Sequence, residues 1–207
     1  MNAEIPKQFL LLKEKPLLMH SVEQFHLACP GILMVIVLPK KFIKEWERLC
    51  KKYRFGIQHS LAEGGETRFH SVKNGLGQIS EDGLVAIHDA ARPLVSKNLI
   101  ISCFEFAEKY GNAIPVINFS ESLRIVDGNL SQVVNREKLR IVQTPQCFRL
   151  ALLKSAYRQE YQSAFTDDAT VLGYTGEPIN LVEGEKTNLK ITVPEDLIIA
   201  EALLAKQ

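Results

Sequence analysis

The sequence predicts a single α/β domain of Rossmann-like type, with a mostly parallel sheet sandwiched between helices and a β-hairpin arm projecting at about residues 118–142. Three observations predict it. The 207 residues fit one domain against a prior of roughly 150. Short apolar runs rich in β-branched residues alternate with segments of helical period, the pattern of a sheet covered on both faces. After residue 118 that rhythm gives way to strand-like alternation around the turn-forming Asp127-Gly128-Asn129.

The elements follow in order. Residues 16–28 carry Leu18, Val22 and Phe25 on one helical face, a strand runs over 32–38, and Phe42, Trp46 and Leu49 mark a second helix. A short strand is expected near 56–59, then a helix with Phe69, Val72 and Leu76, then a strand from Leu84 to His88. A helix over 97–110 leads to a strand at 112–117, placed near an edge or bend by Pro115. Residues 122–126 and 139–142 are expected to be the two limbs of the arm. Such an arm has little to bury against unless a second subunit supplies a surface. A helix over 150–157, a loop through 165–168, a helix to Gly173, a strand at 179–182 and a final helix from Pro194 complete the chain. Pro194, Glu195 and Asp196 supply the proline and acids of a first helical turn.

Composition narrows the function classes. Hydrophobic residues make up 46% and charged residues 24%, with net charge +1, so nothing favours a nucleic-acid or membrane surface, and any anionic partner must be met locally. The longest apolar run, residues 32–38, is far shorter than the roughly 20 residues of a membrane span, and no signal peptide is evident, so a cytoplasmic location is expected. Cys29, Cys50, Cys103 and Cys147 have no metal-ligand spacing and are expected to be free thiols.

Candidate chemistry concentrates where strands end. Ile87-His88-Asp89-Ala90-Ala91-Arg92-Pro93 closes an apolar run, and ligands in open α/β sheets sit outside the carboxyl ends of strands. Asp89 and Arg92 are thus candidates for holding a polar or phosphorylated ligand, although such pairs also cap ordinary loops. In Glu63-Gly64-Gly65-Glu66-Thr67-Arg68 the glycine pair lets backbone approach a flat ligand, and Ser71 could meet a base edge. The plain alternative is a strand-to-helix turn with Glu66 or Thr67 near the N-cap. Lys7, Arg136 and Lys190 are each ordinary surface cations alone; an Arg and a Lys brought together could clamp a phosphate. Thr166-Asp167-Asp168 could hold a metal, but capping of the next helix is the favoured reading.

Taken in order, these segments resemble the 2-C-methyl-D-erythritol 4-phosphate cytidylyltransferase family of isoprenoid biosynthesis. The resemblance rests on PKQF at Pro6, GGETR with Ser71, HDAARP at His88, the pair at Asn135, QTPQ at Gln143, TDD at Thr166, and EGEKTNLKIT followed by PEDL. It spans almost the whole chain. It implies Mg²⁺-dependent transfer of a cytidylyl group from CTP to a polyol phosphate with release of pyrophosphate, by a homodimer clasped through the arm. By position, Lys7 would stabilise charge at the α-phosphate. Gly65, Glu66 and Ser71 would surround cytosine, and Asp89 with Ala90 would meet the ribose. Arg92, Ser122, Arg136, Thr144, Thr166 and Lys190 would form the polyol-phosphate site, with Arg136 and Lys190 orienting the attacking phosphate. Metal ligands are not assigned.

Two departures from the family pattern stand out. Residues 115–122 are slightly longer than the usual link, which bears on Ser122. Family members also open with a strand and a glycine-rich loop cradling the triphosphate, whereas this sequence begins at the Met1 that would end that loop. A truncated sequence and a non-catalytic nucleotide-binding paralogue both fit this start; truncation is the favoured expectation, with bare strand edges as its consequence. Ribitol-5-phosphate cytidylyltransferase is the alternative within the same chemistry. A nucleotide-sugar glycosyltransferase using Asp167 and Asp168 is the alternative outside it, disfavoured by the lack of a DxD at a strand end.

Overall fold

A computed structural model describes residues 6–80 and 82–205. A 3-10 turn at Lys7–Phe9 leads into a two-stranded ribbon, β1 (Leu11–Leu12) and β2 (Lys15–Pro16), from which α1 (Leu17–Ala28) starts. Then come β3 (Val35–Leu38), α2 (Lys40–Lys52), β4 (Ser60–Glu63), α3 (Arg68–Gly77), β5 (Leu84–Ile87) and α4 (Lys97–Tyr110). Next are β6 (Asn112–Asn118), β7 (Leu123–Asp127), β8 (Leu130–Val134), β9 (Arg140–Val142), β10 (Gln146–Arg149) and α5 (Leu150–Ala156). The chain closes with α6 (Asp168–Gly173), β11 (Leu181–Glu183) and α7 (Pro194–Leu204).

The main sheet has the order β11-β6-β10-β5, with β9 also paired to β6. Strands β5, β6 and β11 share one direction, because β10 lies antiparallel to both β5 and β6, and β11 is parallel to β6. Strands β3 and β4 form a separate parallel pair. Phe148 and Ile114 on one side of the main sheet pack with Phe69, Leu153 and Leu172; Cys103, Ile100 and Val95 fill the α4 side. A third cluster places Trp46 between Phe9, Leu18 and Ile36.

Two expected elements fall elsewhere. The strand expected near 56–59 forms at Ser60–Glu63, where Leu61 and Ala62 pair with Ile36 and Val37. The earlier residues serve packing: the Trp46 indole donates to His59 Nε2 at 2.9 Å, and Phe55 and Ile57 pack on that cluster. The returning limb of the arm is Leu130–Val134, not 139–142. Asp127 pairs with Leu130 across a two-residue loop in which Gly128 has φ of 55°, and so tight a loop sets the return register at once. Residues 140–142 join β6 instead, as β9.

Among the described residues β3 pairs with β4 alone and β5 with β10 alone, so each leaves one edge bare. Both edges face an apolar cavity of about 580 Å³ lined by Ile36, Leu38, Val85, Ile87, Val22 and Phe25.

Candidate active site

The loop after β5 is built by hydrogen bonds to three other segments. Arg92 N–H donates to the Asp89 carbonyl at 2.9 Å, closing a turn, and Ile191 N–H donates to the Ala91 carbonyl at 2.8 Å, drawing in the segment that carries Lys190. Asp89 Oδ2 then lies 2.8 Å from Lys190 Nζ and 3.7 Å from Arg92 Nε. Burial alone would raise the Asp89 pKa, but the Lys190 bond, with the charges of Lys190 and Arg68, holds it below the usual carboxylate value. Arg92 is only 7% exposed. Its Nη1 donates to the Asn188 carbonyl at 2.7 Å and its Nη2 to the Val142 carbonyl at 3.4 Å, while Nε has no hydrogen-bond partner among the described residues. The guanidinium therefore ties the Lys190 segment to the β9 end, and keeps one donor beside Asp89.

The same wall is stiffened from behind. Asn188 Nδ2 donates to the Thr144 carbonyl at 2.8 Å. The Gln143 amide donates to the Glu185 carbonyl at 2.8 Å and accepts from Glu185 N–H at 3.1 Å. That clamp requires glycine at 184, where a Cβ would stand 2.5 Å from Gln143 Oε1 and 3.1 Å from the Val116 carbonyl oxygen. At the front, Thr144 Oγ1 accepts from Asp89 N–H at 3.0 Å and lies 3.0 Å from His88 Nδ1. Asp89, Arg92, Thr144, Thr166 and Lys190 all line one cavity of about 360 Å³.

The larger cavity meets this one at Asp89 and Arg68 and reaches Ser71, Ala90 and Gln8. Thr67 caps α3, accepting from His70 N–H, so the plain reading of that turn holds. Ser71 Oγ donates to the Thr67 carbonyl at 2.9 Å and accepts from Gly65 N–H at 3.0 Å. A Cβ at residue 65 would fall 2.3 Å from His70 Cβ, so the close approach of loop to helix needs glycine. Glu66 is exposed at the same turn.

Arg68 is the residue that motif reading left without a role. Its Nη2 lies 2.5 Å from Asp168 Oδ2, and the Tyr157 hydroxyl donates to Asp168 Oδ1 at 2.6 Å. Asp168 is fully buried. Burial and the adjacent Asp168 charge push the Tyr157 pKa up, so the phenol stays a donor. The signal for Arg68 lay in its partner: an acid just inside an apolar helix needs a cation. Asp167 caps α6 through Thr170 N–H at 2.8 Å and also receives the Gln146 amide at 2.8 Å. Both carboxylates of the TDD segment are thus already satisfied.

Lys7 is exposed and donates to the Thr192 carbonyl at 2.8 Å, which brings it beside the Lys190 segment. Ser122 and Arg136 stand exposed on the arm, with Arg136 Nη1 bonded to the Ser120 carbonyl at 2.6 Å, and neither lines the two cavities. No cluster of three metal-ligating side chains exists among the described residues. One carboxylate at the junction of the cavities suits a Mg²⁺ that arrives on ligand phosphates and keeps most of its waters.

A sequence profile described as 2-C-methyl-D-erythritol 4-phosphate cytidylyltransferase matches residues 1–206. A protein of that description from Bacteroides fragilis is 47% identical over 204 residues, covering 99% of this chain and 93% of the relative. One from Bacteroides thetaiotaomicron is 45% identical with the same coverage. The crystal structure of that enzyme from Thermus thermophilus superposes with a TM-score of 0.79 at 35% identity, covering 97% of this chain and 94% of the other. The Francisella tularensis structure gives 0.82 at 31% identity, covering 96% and 93%.

Proposed function

The chain belongs to the 2-C-methyl-D-erythritol 4-phosphate cytidylyltransferase family, and from that premise we propose that it transfers CMP from CTP to 2-C-methyl-D-erythritol 4-phosphate, releasing pyrophosphate. The products are 4-diphosphocytidyl-2-C-methyl-D-erythritol and pyrophosphate, within non-mevalonate isoprenoid biosynthesis. One observation carries the reading: Asp89, bracketed by Lys190 and Arg92, is the shared wall of two cavities. One reaches the glycine turn and Ser71, and the other is lined by threonine hydroxyls and cations.

The substrate phosphate attacks the α-phosphorus of CTP in line, with the P–O bond to pyrophosphate breaking. No protein atom forms a covalent bond, so catalysis rests on positioning and charge neutralisation. Gly65, Glu66 and Ser71 hold cytosine; Asp89 and Ala90 meet the ribose. Lys7 faces the charge developing at the α-phosphate. Lys190, positioned by its bond to Asp89, orients the attacking phosphate, while Arg92, Thr144 and Thr166 hold the acceptor. A Mg²⁺ carried by CTP would neutralise the triphosphate.

Ser122 and Arg136 enter the site from a partner's arm in a homodimer. What supports this is the arm's surface: Ile125, Val126, Leu130 and Val133 are 62–76% exposed on a two-stranded hairpin that buries almost nothing of its own. No described helix is long and apolar enough to cross a membrane, and a cytoplasmic location fits a reaction among soluble phosphates.

The test is a mass-spectrometric assay with CTP, Mg²⁺ and either methylerythritol phosphate or ribitol 5-phosphate. It is run on the 207-residue chain and on the chain extended upstream by a glycine-rich strand and loop. Cytidine-diphospho-methylerythritol is the expected product. Product with ribitol phosphate alone would move the assignment to that acceptor. No product from either form would make the protein a nucleotide-binding relative without this activity.

A further inference from the structure

We infer that His88 is a positioning residue that accepts the hydrogen bond of the Thr144 hydroxyl, so that Thr144 meets the ligand as a hydrogen-bond acceptor and selects a substrate hydroxyl over a phosphate oxygen. The tautomer of the ring follows from its two partners. His88 Nε2 lies 3.1 Å from the carbonyl oxygen of Arg92, which can only accept, so Nε2 carries a hydrogen. In the neutral ring Nδ1 is then bare, and the group 3.0 Å from it is Thr144 Oγ1, which donates. Several features hold the ring neutral and in place. Phe25 packs on it at 5.1 Å between centroids, and the apolar space beside β5 borders it. Burial, with the Arg92 charge adding to it, lowers its pKa to about 4 against the pull of the Arg92 carbonyl and Asp89.

The consequence falls on Thr144. A hydroxyl has one proton and two lone pairs. The O–H donates to His88 Nδ1, and one lone pair receives Asp89 N–H at 3.0 Å. What remains is a single lone pair on a residue lining the cavity that holds Arg92, Lys190 and Thr166. A phosphate oxygen without a proton has nothing to donate to it, whereas a polyol hydroxyl does. Cations already serve the phosphate in this cavity, so the acceptor at Thr144 discriminates by chemistry the cations lack. His88 also binds the two ends of the 89–92 turn, one through Thr144 and one through the Arg92 carbonyl. The identity of the substrate hydroxyl's owner rests on the proposed acceptor; the tautomer rests on the hydrogen bonds alone.

Two substitutions separate the halves of the ring. Asparagine at 88 keeps a carbonyl oxygen near Nδ1 that accepts from Thr144; glutamine keeps an N–H that can reach the Arg92 carbonyl. His88→Gln should raise KM for methylerythritol phosphate about tenfold, the effect of one misdirected hydrogen bond, with KM for CTP and kcat within about twofold of the parent. His88→Asn should stay within about threefold, Thr144→Val should match His88→Gln, and the double variant should add nothing further. Equal rises in both KM values, or a kcat loss shared by the two His88 variants, would reduce His88 to a structural role and overturn the inference.

A second measurement needs no turnover. Two-bond ¹H–¹⁵N spectra of the parent at pH 7 should show the His88 ring protonated at Nε2 and bare at Nδ1. A ring protonated at Nδ1, or charged, overturns the inference whatever the kinetics. A parent without turnover counts against the proposed activity, and the spectrum then decides the tautomer by itself.

Discussion

The wall of the smaller cavity and the β7–β8 arm are made of opposite materials. In the wall, Arg92, Gln143, Thr144, Gln146 and Asn188 are polar side chains buried to 7% exposure or less, each hydrogen-bonded across segments tens of residues apart. In the arm, Ile125, Val126, Leu130 and Val133 are apolar side chains left in water, and pairing is local to one hairpin. A buried polar group is costly unless bonded, so the wall can adopt only the arrangement in which its bonds are made. Exposed apolar surface is costly until something covers it, so the arm has reason to meet a second surface. The wall is organised within the chain, whereas the arm's apolar surface is left uncovered by it.

The sharpest test of the wall is Lys190→Ala. A preorganised charge at the reacting phosphate is worth roughly two to three orders of magnitude in kcat. Because Lys190 is the 2.8 Å partner of Asp89 yet is itself exposed, the loss should come without unfolding. A kcat within about threefold of the parent would remove Lys190 from the mechanism, and with it the claim that the wall is catalytic as well as rigid.

The wall should also be the acid-sensitive half. His88 has its pKa lowered to about 4, and His20, whose Nε2 lies 2.9 Å from the Leu12 carbonyl, is likewise lowered by burial. A histidine with a depressed folded pKa binds its proton more readily in the unfolded chain. The fold therefore loses nothing above pH 6.5 and is progressively destabilised as pH falls from 6.5 toward 4. For His88 the loss reaches about 3 kcal/mol at the lower end. The lowered Asp89 and Asp196 act in the same direction but in a separate window, below their ordinary value of 3.8. Urea unfolding at pH 7, 6, 5 and 4.5 should show the slope, and His88→Asn should flatten it; an unchanged slope in that variant would place the acid sensitivity elsewhere.

A smaller effect is expected where the wall is tightest. Gly184→Ala puts a methyl group 2.5 Å from Gln143 Oε1 and 3.1 Å from the Val116 carbonyl oxygen, and Gln143 is held at both ends of its amide. Overpacking of this kind costs about 1–3 kcal/mol and should appear as a lower Tm. A Tm equal to the parent's would mean that the Gln143 clamp yields more easily than its bonds suggest.

These tests bear on what a sequence can disclose. The His88–Arg92 segment was legible because an acid and a base stand at the end of an apolar strand, and the Asp167 cap because its spacing to α6 is local. Arg68 was not, since its partner lies 100 residues away and periodicity carries no information about such a pair. Nor was the arm's return limb: residues 130–134 and 139–142 both alternate, and only the two-residue loop at Gly128-Asn129 selects the nearer one. The β4 strand shifted because its register is set by β3, a parallel partner with no connecting turn to announce it. Local chemistry was readable, and pairing across the chain was not.

The smallest effect on the protomer itself should come from the arm. Leu130→Asp and Val133→Asp replace side chains 74% and 76% exposed, so each should change the stability of an isolated protomer by no more than about 0.5 kcal/mol. If the arm lies in a dimer interface, the same substitutions place charges in an apolar contact and should convert the protein to monomer by light scattering at micromolar concentration. Two further consequences distinguish assembly from folding. The parent's Tm should rise with protein concentration by mass action while the variant's stays constant. Turnover of the variant should fall as Arg136→Ala does, because both remove the same arginine from the partner's site. A parent that is monomeric at these concentrations, with a concentration-independent Tm, would break the comparison at its root: the arm would then be an exposed hairpin, and the wall would have to hold both substrates alone.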